Sequence, residues 1–202
     1  MKCISTCLFL LMSISLFAQH TTEVIKETKI YQTSENEKFL NPETTILEKR
    51  DFKKFKGLEF FPIDLDFVVK ATFVRTPNEH PFLMKTSTSR LPEYVKYGEA
   101  HFEIKGQKLK LNLYQSIVPS EDPKYADYLF LPFTDLTNGD ESYAGGRFLD
   151  TYIPKGTTLV LNFNKAYNPY CAYSPNYSCP IPPSANDLPI RVEAGVKDFG
   201  KH

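Results

Sequence analysis

From Gly57 onward the chain repeats one pattern. Short runs alternate apolar and polar residues, and turn signals separate them. In residues 66–75, Phe67, Val69, Ala71 and Phe73 share a face. Residues 82–88 alternate next. Across 98–104, Ala100, Phe102 and Ile104 point one way and Glu99, His101 and Glu103 the other. Lys105-Gly106 can turn the chain, and Leu109, Leu111 and Leu113 alternate on the way back. Further runs fall at 128–133, 147–153, 158–164 and 189–194. A period of two places successive side chains on opposite faces of a strand. Many short strands in tandem, most joined by turns, argue against a parallel sheet. The expected fold is mainly β: an antiparallel β-sandwich or barrel of about eight to nine strands.

The N-terminal part obeys a different rule. Lys2 is followed by a nearly uncharged apolar run, Cys3 to Phe17, with Ala18 suited to precede a cleavage site. The run is short for a membrane span and polar sequence follows it, so it reads as a signal peptide over 1–18 rather than a stable membrane anchor. The chain is then expected to be exported, periplasmic or secreted. Residues 19–33 are polar and read as a flexible arm. Ser34-Glu-Asn-Glu37 has the form of a capping box, whose serine and glutamate satisfy free amides of a first helical turn. A short helix to Asn41-Pro42 should follow, then a second over 43–56, with Ile46, Leu47, Phe52 and Phe55 as its apolar stripe and Gly57 as its stop. A short N-terminal helical hairpin therefore opens a single β-rich domain spanning 34–202.

Charge restricts the partners. Lys and Arg number 24 and so do Asp and Glu, and no basic run stands out, so nothing points to nucleic acid. The nucleophile elbow, the His-Glu-x-x-His metal motif, the phosphate loop and the dinucleotide fingerprint are all missing, and no cofactor or metal is implied.

The least ordinary stretch is Leu161–Pro183, a strand that becomes a long loop rich in Asn, Tyr and Pro. It carries Cys171 and Cys179, the two cysteines left once the signal is removed. In an oxidising compartment such a pair reads as a disulfide, worth roughly 2.5 kcal/mol by chain entropy. Two metal thiolates are the other reading, without the close Cys-x-x-Cys spacing or a nearby His that would favour it. Upstream, Gly145-Gly146-Arg147 could present amides and a guanidinium to an anion. Asn162, Asn164 and Asn168 with Tyr167 offer donors, acceptors and a ring, which suits a neutral polar ligand. Each also has a bland reading: Arg147 paired with an acid, each Asn bonded to nearby backbone. If the strand is regular, Arg147 and Asp150 point to opposite faces.

Several blocks together resemble the bacterial domain-of-unknown-function family 1684: Phe55-Lys-Gly-Leu58 with Phe60-Phe-Pro-Ile-Asp64, Tyr97-Gly98, Leu131-Pro-Phe-Thr-Asp135, Tyr143-Ala-Gly-Gly-Arg147, Asn162 through Cys171, Cys179-Pro180 and Asn186-Asp-Leu188. The resemblance implies no activity. It marks the Gly-Gly-Arg and Asn-rich blocks as the positions to examine. The leading expectation is an exported protein binding a small polar ligand, a carbohydrate or an organic acid, through Arg147, Asn162, Asn164, Tyr167 and Asn168. The alternatives are a cell-envelope hydrolase or lyase using Glu99 and His101, or Asp135, Asp140 and Asp150, and an interaction module with no small-molecule site.

Overall fold

The computed structural model describes residues 3–118 and 121–200; the side chains of residues 3–18 and 20 lie outside that description. Two helices come first, α1 (Cys3–Leu40) and the single turn α2 (Lys49–Phe52). The strands are β1 (Val68–Arg75), β2 (Phe82–Leu83), β3 (Glu93–Ile104), β4 (Gln107–Ser116), β5 (Tyr128–Phe133), β6 (Arg147–Tyr152) and β7 (Thr158–Asn162). Among the described residues these seven form one antiparallel sheet in the order β6-β5-β4-β3-β1-β7, with β2 paired to β3. The sheet curls into a half-barrel. Its two edges come together at one point, where Phe148 of β6 exchanges backbone hydrogen bonds of 2.9 and 3.0 Å with Tyr167, just beyond β7.

The alternation seen in the sequence is what fills the curl. Phe67, Val69, Ala71 and Phe73 join Ala100, Phe102, Ile104, Leu109, Leu111 and Leu113 in the main core. Leu188, Val192 and Ala194 close it from the C-terminal tail. The β3–β4 turn is made at Lys105 and Gly106, with φ of 49° and 81°. Left-handed values at both turn residues match the twist of a tight hairpin. The outer face carries a second aromatic cluster of Tyr114, Phe130 and Phe148 with Met84 and Cys179.

Three expectations need correcting. Among the described residues there is one curled sheet and no second layer; the 82–88 run shortens to Phe82–Leu83 with a single bridge from Thr86 to Pro180, and the strand count falls to seven because 189–194 forms no strand. That last segment gives its backbone to other partners: Val192 and Ala194 carbonyls accept from Arg147, and the Val192 amide donates to Asp135. The helical hairpin is absent as well. Residues 19–33 are not an arm, and Ser34 is no cap; α1 runs through both to Leu40, while the second helix shrinks to one turn. The reason is that α1 docks on polar side chains. Thr28 receives the Asn162 amide at 2.8 Å, Gln32 donates to the Asn164 carbonyl at 3.0 Å, and Asn36 accepts from the Leu58 amide. The expected signal over 1–18 has its side chains outside the described residues. Among the described residues no helix is long and apolar enough to cross a membrane.

Two buried polar groups hold the curl together. Arg147 is fully buried at the start of β6. Its Nη2 donates to Asp135 Oδ2 at 2.7 Å and to the Val192 carbonyl at 2.8 Å, and its Nη1 to the carbonyl of Ala194. Asp135 Oδ1 accepts the amides of Thr137 and Val192. Asn186, also fully buried, works between β4 and β5. Those strands pair at Tyr114 and Phe130. Two residues along, Asn112 faces Pro132, which has no N–H to give. The Asn186 amide donates instead to the carbonyls of both Asn112 (2.9 Å) and Pro132 (2.6 Å), and its oxygen accepts the Asn112 amide at 2.8 Å.

Removing one partner of a buried ion pair leaves an uncompensated charge in the core, which costs about 3–5 kcal/mol. Arg147→Met is expected to lower unfolding free energy by that amount in urea titrations, with the m-value unchanged.

Candidate functional site

The two sheet edges meet at Phe148 and Tyr167, and beside that contact α1 lies across the seam. A cavity of about 440 Å³ is left beneath it. Leu149, Asp150 and Tyr152 of β6 line one side. Val68, Val160, Asn162 and Lys165 line the other, and Val24, Glu27 and Tyr31 of α1 form the cover. A second hollow of about 800 Å³ opens on the far side of Asp150, between Val95, Gln115, Ile117, Tyr125 and Tyr128. Asp150 is the residue common to both.

Register explains this placement. Phe130 and Asp150 are direct partners across β5 and β6, so Asp150 projects onto the outer, aromatic face and not into the main core. There its Oδ1 accepts the hydroxyls of Tyr128 at 2.8 Å and Tyr167 at 2.6 Å. Among the described residues no donor reaches Oδ2, and Asp150 is exposed. Burial, reinforced by the nearby carboxylate, pushes both phenols up, so they remain protonated donors. Tyr31 is also pushed up, by burial first and then by Glu35 and Asp150. The site therefore offers a carboxylate fixed through one oxygen, the Lys165 ammonium, phenol rings and the second N–H of Asn162, whose first N–H goes to Thr28 and whose oxygen accepts from Asn164.

The five residues expected to bind a ligand separate into two groups. Asn162 lines the cavity, and Tyr167 orients Asp150 beside it. Arg147, Asn164 and Asn168 face inward. Arg147 is spent on Asp135 and the tail carbonyls, as described. Asn164 is fully buried and bonds the backbone of Asp64 through both its amide (2.8 Å) and its oxygen (2.9 Å). Asn168, 2% exposed, donates to the Lys197 carbonyl at 2.9 Å. Tyr31 and Glu27 were missed because they lie in the stretch read as an arm. The spacing of Val24, Thr28, Tyr31 and Gln32 is helical, but with one apolar residue in four it makes no hydrophobic stripe.

The acid–base alternative does not assemble. Glu99 is a hub of ion pairs on the outer hairpin face, with Lys110 at 2.9 Å, His101 at 2.9 Å and Lys96 at 3.3 Å. Lys110 above all, then Lys96 and His101, hold its carboxyl at about 2. Asp135 is buried against Arg147, Asp140 pairs with Arg191 at 3.0 Å, and Asp150 lies in the seam. Among the described residues no group of three or more His, Cys, Asp or Glu is placed to hold a metal ion.

The expected disulfide is a correction too. Cys171 and Cys179 are free thiols. They are neighbours nonetheless: the Cys171 amide donates to Cys179 Sγ at 3.2 Å. The loop is held without a covalent staple. Ser87 and Cys179 exchange bonds at 2.9 and 3.1 Å, and the Ile181 amide donates to Lys85 at 2.9 Å.

Comparison with known proteins adds a family and a fold. The family described as "Protein of unknown function (DUF1684)" matches residues 53–197. An uncharacterised protein of Haloarcula marismortui, solved by solution NMR, superposes with a TM-score of 0.70 at 26% identity, covering 91% of this chain and 99% of that one. No curated protein matches.

The Glu99 hub has a pH signature. A carboxyl held at about 2, below its ordinary 4.5, stabilises the fold above pH 4.5, and that stability is lost as pH falls toward 2. Glu99→Gln is expected to flatten this part of the acid-unfolding curve by lowering stability above pH 4.5 toward its acid value, with a loss at pH 7 of about 1 kcal/mol because solvent screens a hub near the surface.

Proposed function

We propose, for a chain that belongs to the DUF1684 family of proteins of unknown function, that it binds a small neutral polyhydroxylated ligand, of the carbohydrate class, in the seam cavity under α1. The observation that carries this reading is Asp150. Two phenols fix one of its oxygens, while the other meets no protein donor at the edge of a 440 Å³ cavity. A carboxylate oriented in this way accepts hydroxyl hydrogen bonds. The Asn162 amide lines the same space, and the phenol rings give it flat apolar walls.

Charge decides between the two ligand classes. An organic acid would meet Asp150 and Glu27 with Lys165 as the one cation in the lining. Like charges in a confined site repel, so a neutral ligand fits better. Export remains part of the proposal. It rests on Lys2, the apolar run from Cys3 to Phe17 and Ala18, and N-terminal sequencing of the expressed protein should find Gln19 first. The competing reading is an interaction module with no ligand, favoured by the inward bonding of Arg147, Asn164 and Asn168.

Thermal shift against panels of neutral sugars and organic acids separates these readings. A sugar at a hundred times its Kd should add about 2.7 kcal/mol. Asp150→Asn keeps an acceptor for the two phenols but loses the charge, so it should melt close to the parent and lose most of the sugar response. No stabilisation by any sugar would favour the interaction module. Stabilisation by acids alone would reverse the charge argument.

A further inference from the structure

A second chemistry lies away from the seam, in the loop that the ligand reading leaves unused. We propose that Cys171 and Cys179 form a thiol–disulfide exchange site for low-molecular-weight disulfides, with Cys171 as the attacking thiol and Cys179 as the resolving one.

The two residues are held by separate parts of the fold. Cys171 sits in a 3-10 turn, Tyr170–Ala172. The next two residues, Ala172 and Tyr173, are buried against Phe39, whose ring lies 4.6 Å from that of Tyr173. Cys179 is anchored separately: its carbonyl accepts the Ser87 amide and its own amide donates to Ser87 Oγ. Two independent anchors thus bring the thiols together with no bond between them. Exposure then divides their roles. Cys179 is 8% exposed, whereas Cys171 is half-buried and open to an incoming sulfur.

The groups facing the pair polarise it. Cys179 is the strongest donor to the Cys171 sulfur; the Tyr143 hydroxyl, 3.8 Å away, and Ser87 add to it. Together they bring the Cys171 thiol down to about 6, against an ordinary 9.0. The same contact and burial push Cys179 up, although the Cys171 amide at 3.2 Å opposes this. Burial first, then the two sulfurs and last Asp198, push the Tyr143 phenol up to about 12 and keep it a donor. The donors thus favour the thiolate at the more exposed sulfur, and the same contact and burial favour the thiol at its neighbour, the division that exchange requires.

The chemistry balances. The Cys171 thiolate attacks one sulfur of a small disulfide, forms a mixed disulfide and releases one thiolate. Cys179 gives up its proton and attacks the Cys171 sulfur, releasing the second thiol. Two protein thiols are oxidised, and one small disulfide is reduced to two thiols. The reverse sequence reopens the pair.

The test uses the reduced full chain and oxidised glutathione, with peptide mapping by mass spectrometry to keep Cys3 and Cys7 separate. The parent should form a Cys171–Cys179 bond that excess reduced glutathione reopens under native conditions. Cys179→Ser should accumulate the glutathione adduct on Cys171, and Cys171→Ser should leave Cys179 unmodified. In the parent, alkylation of Cys171 by iodoacetamide should level off above pH about 6, where an ordinary thiol climbs to about pH 8.5. Preferential attack at Cys179, an ordinary pH profile at Cys171, or a bond that resists reopening in the folded chain would each overturn the proposal. The parent measurements alone decide the matter if a serine variant fails to fold.

Discussion

The Arg147–Asp135 pair is the constraint on which the rest of the half-barrel hangs. A charge brought into the core is expensive, and burial does work against this guanidinium while Asp135 supports it. What makes the pair tolerable is the company it keeps. Its carbonyl partners come from the tail and its amide donors from the tail and the turn after β5. One charged contact thus fixes the tail, which lies in no strand, against the start of β6 and the turn after β5. The paired glycines serve the same end. Gly146 has φ +85°, and a Cβ there would come within 2.7 Å of the Phe133 carbonyl. The backbone must pass this close for Arg147 to enter the core. A motif that looked like an anion cradle is an entry fitting for a buried cation.

Incomplete closure follows from the sheet's length. The strands carry a twist that brings β6 round toward β7, yet the edges exchange bonds at one place. An open edge offers unpaired backbone groups, and proteins cover such edges. Here the cover is α1, and the fit leaves a hollow with Asp150 at its margin. The cavity is thus what remains when a helix, with its broad cross-section, seals a slot between two strands.

How much of this could be read from the sequence depended on what each segment buries. β1, β3 and β4 bury alternate apolar side chains in one core, so period two found them and their inward residues. Helix α1 buries Thr28 and uses Gln32 and Asn36 as donors and acceptors, and hydrophobic periodicity is blind to that kind of contact. Strand phase correctly separated Arg147 from Asp150, but phase says nothing about what covers a face. Asn164 lies past the end of β7, in a 3-10 turn where strand phase no longer applies, and it is sealed because both its side-chain groups bond the backbone of Asp64. Asn162, two residues earlier, reaches the cavity. The spacing of the cysteines suggested a disulfide, and both are free thiols. Whether neighbouring sulfurs are joined depends on redox surroundings, which spacing does not encode.

Asn186 has a consequence for synthesis. Its side chain fills the rung of the ladder that Pro132 leaves open, joining residues 74 and 54 positions upstream. A ribosome-bound chain can emit all seven strands and still lack this rung. Both strands flanking the gap then expose a bare carbonyl until Asn186, well past the end of β7, emerges. Such an edge invites pairing with the wrong neighbour. The short tail after β7 therefore behaves as a clasp, fastened last, and a nascent chain cut short before it would be the species that chaperones have most reason to hold.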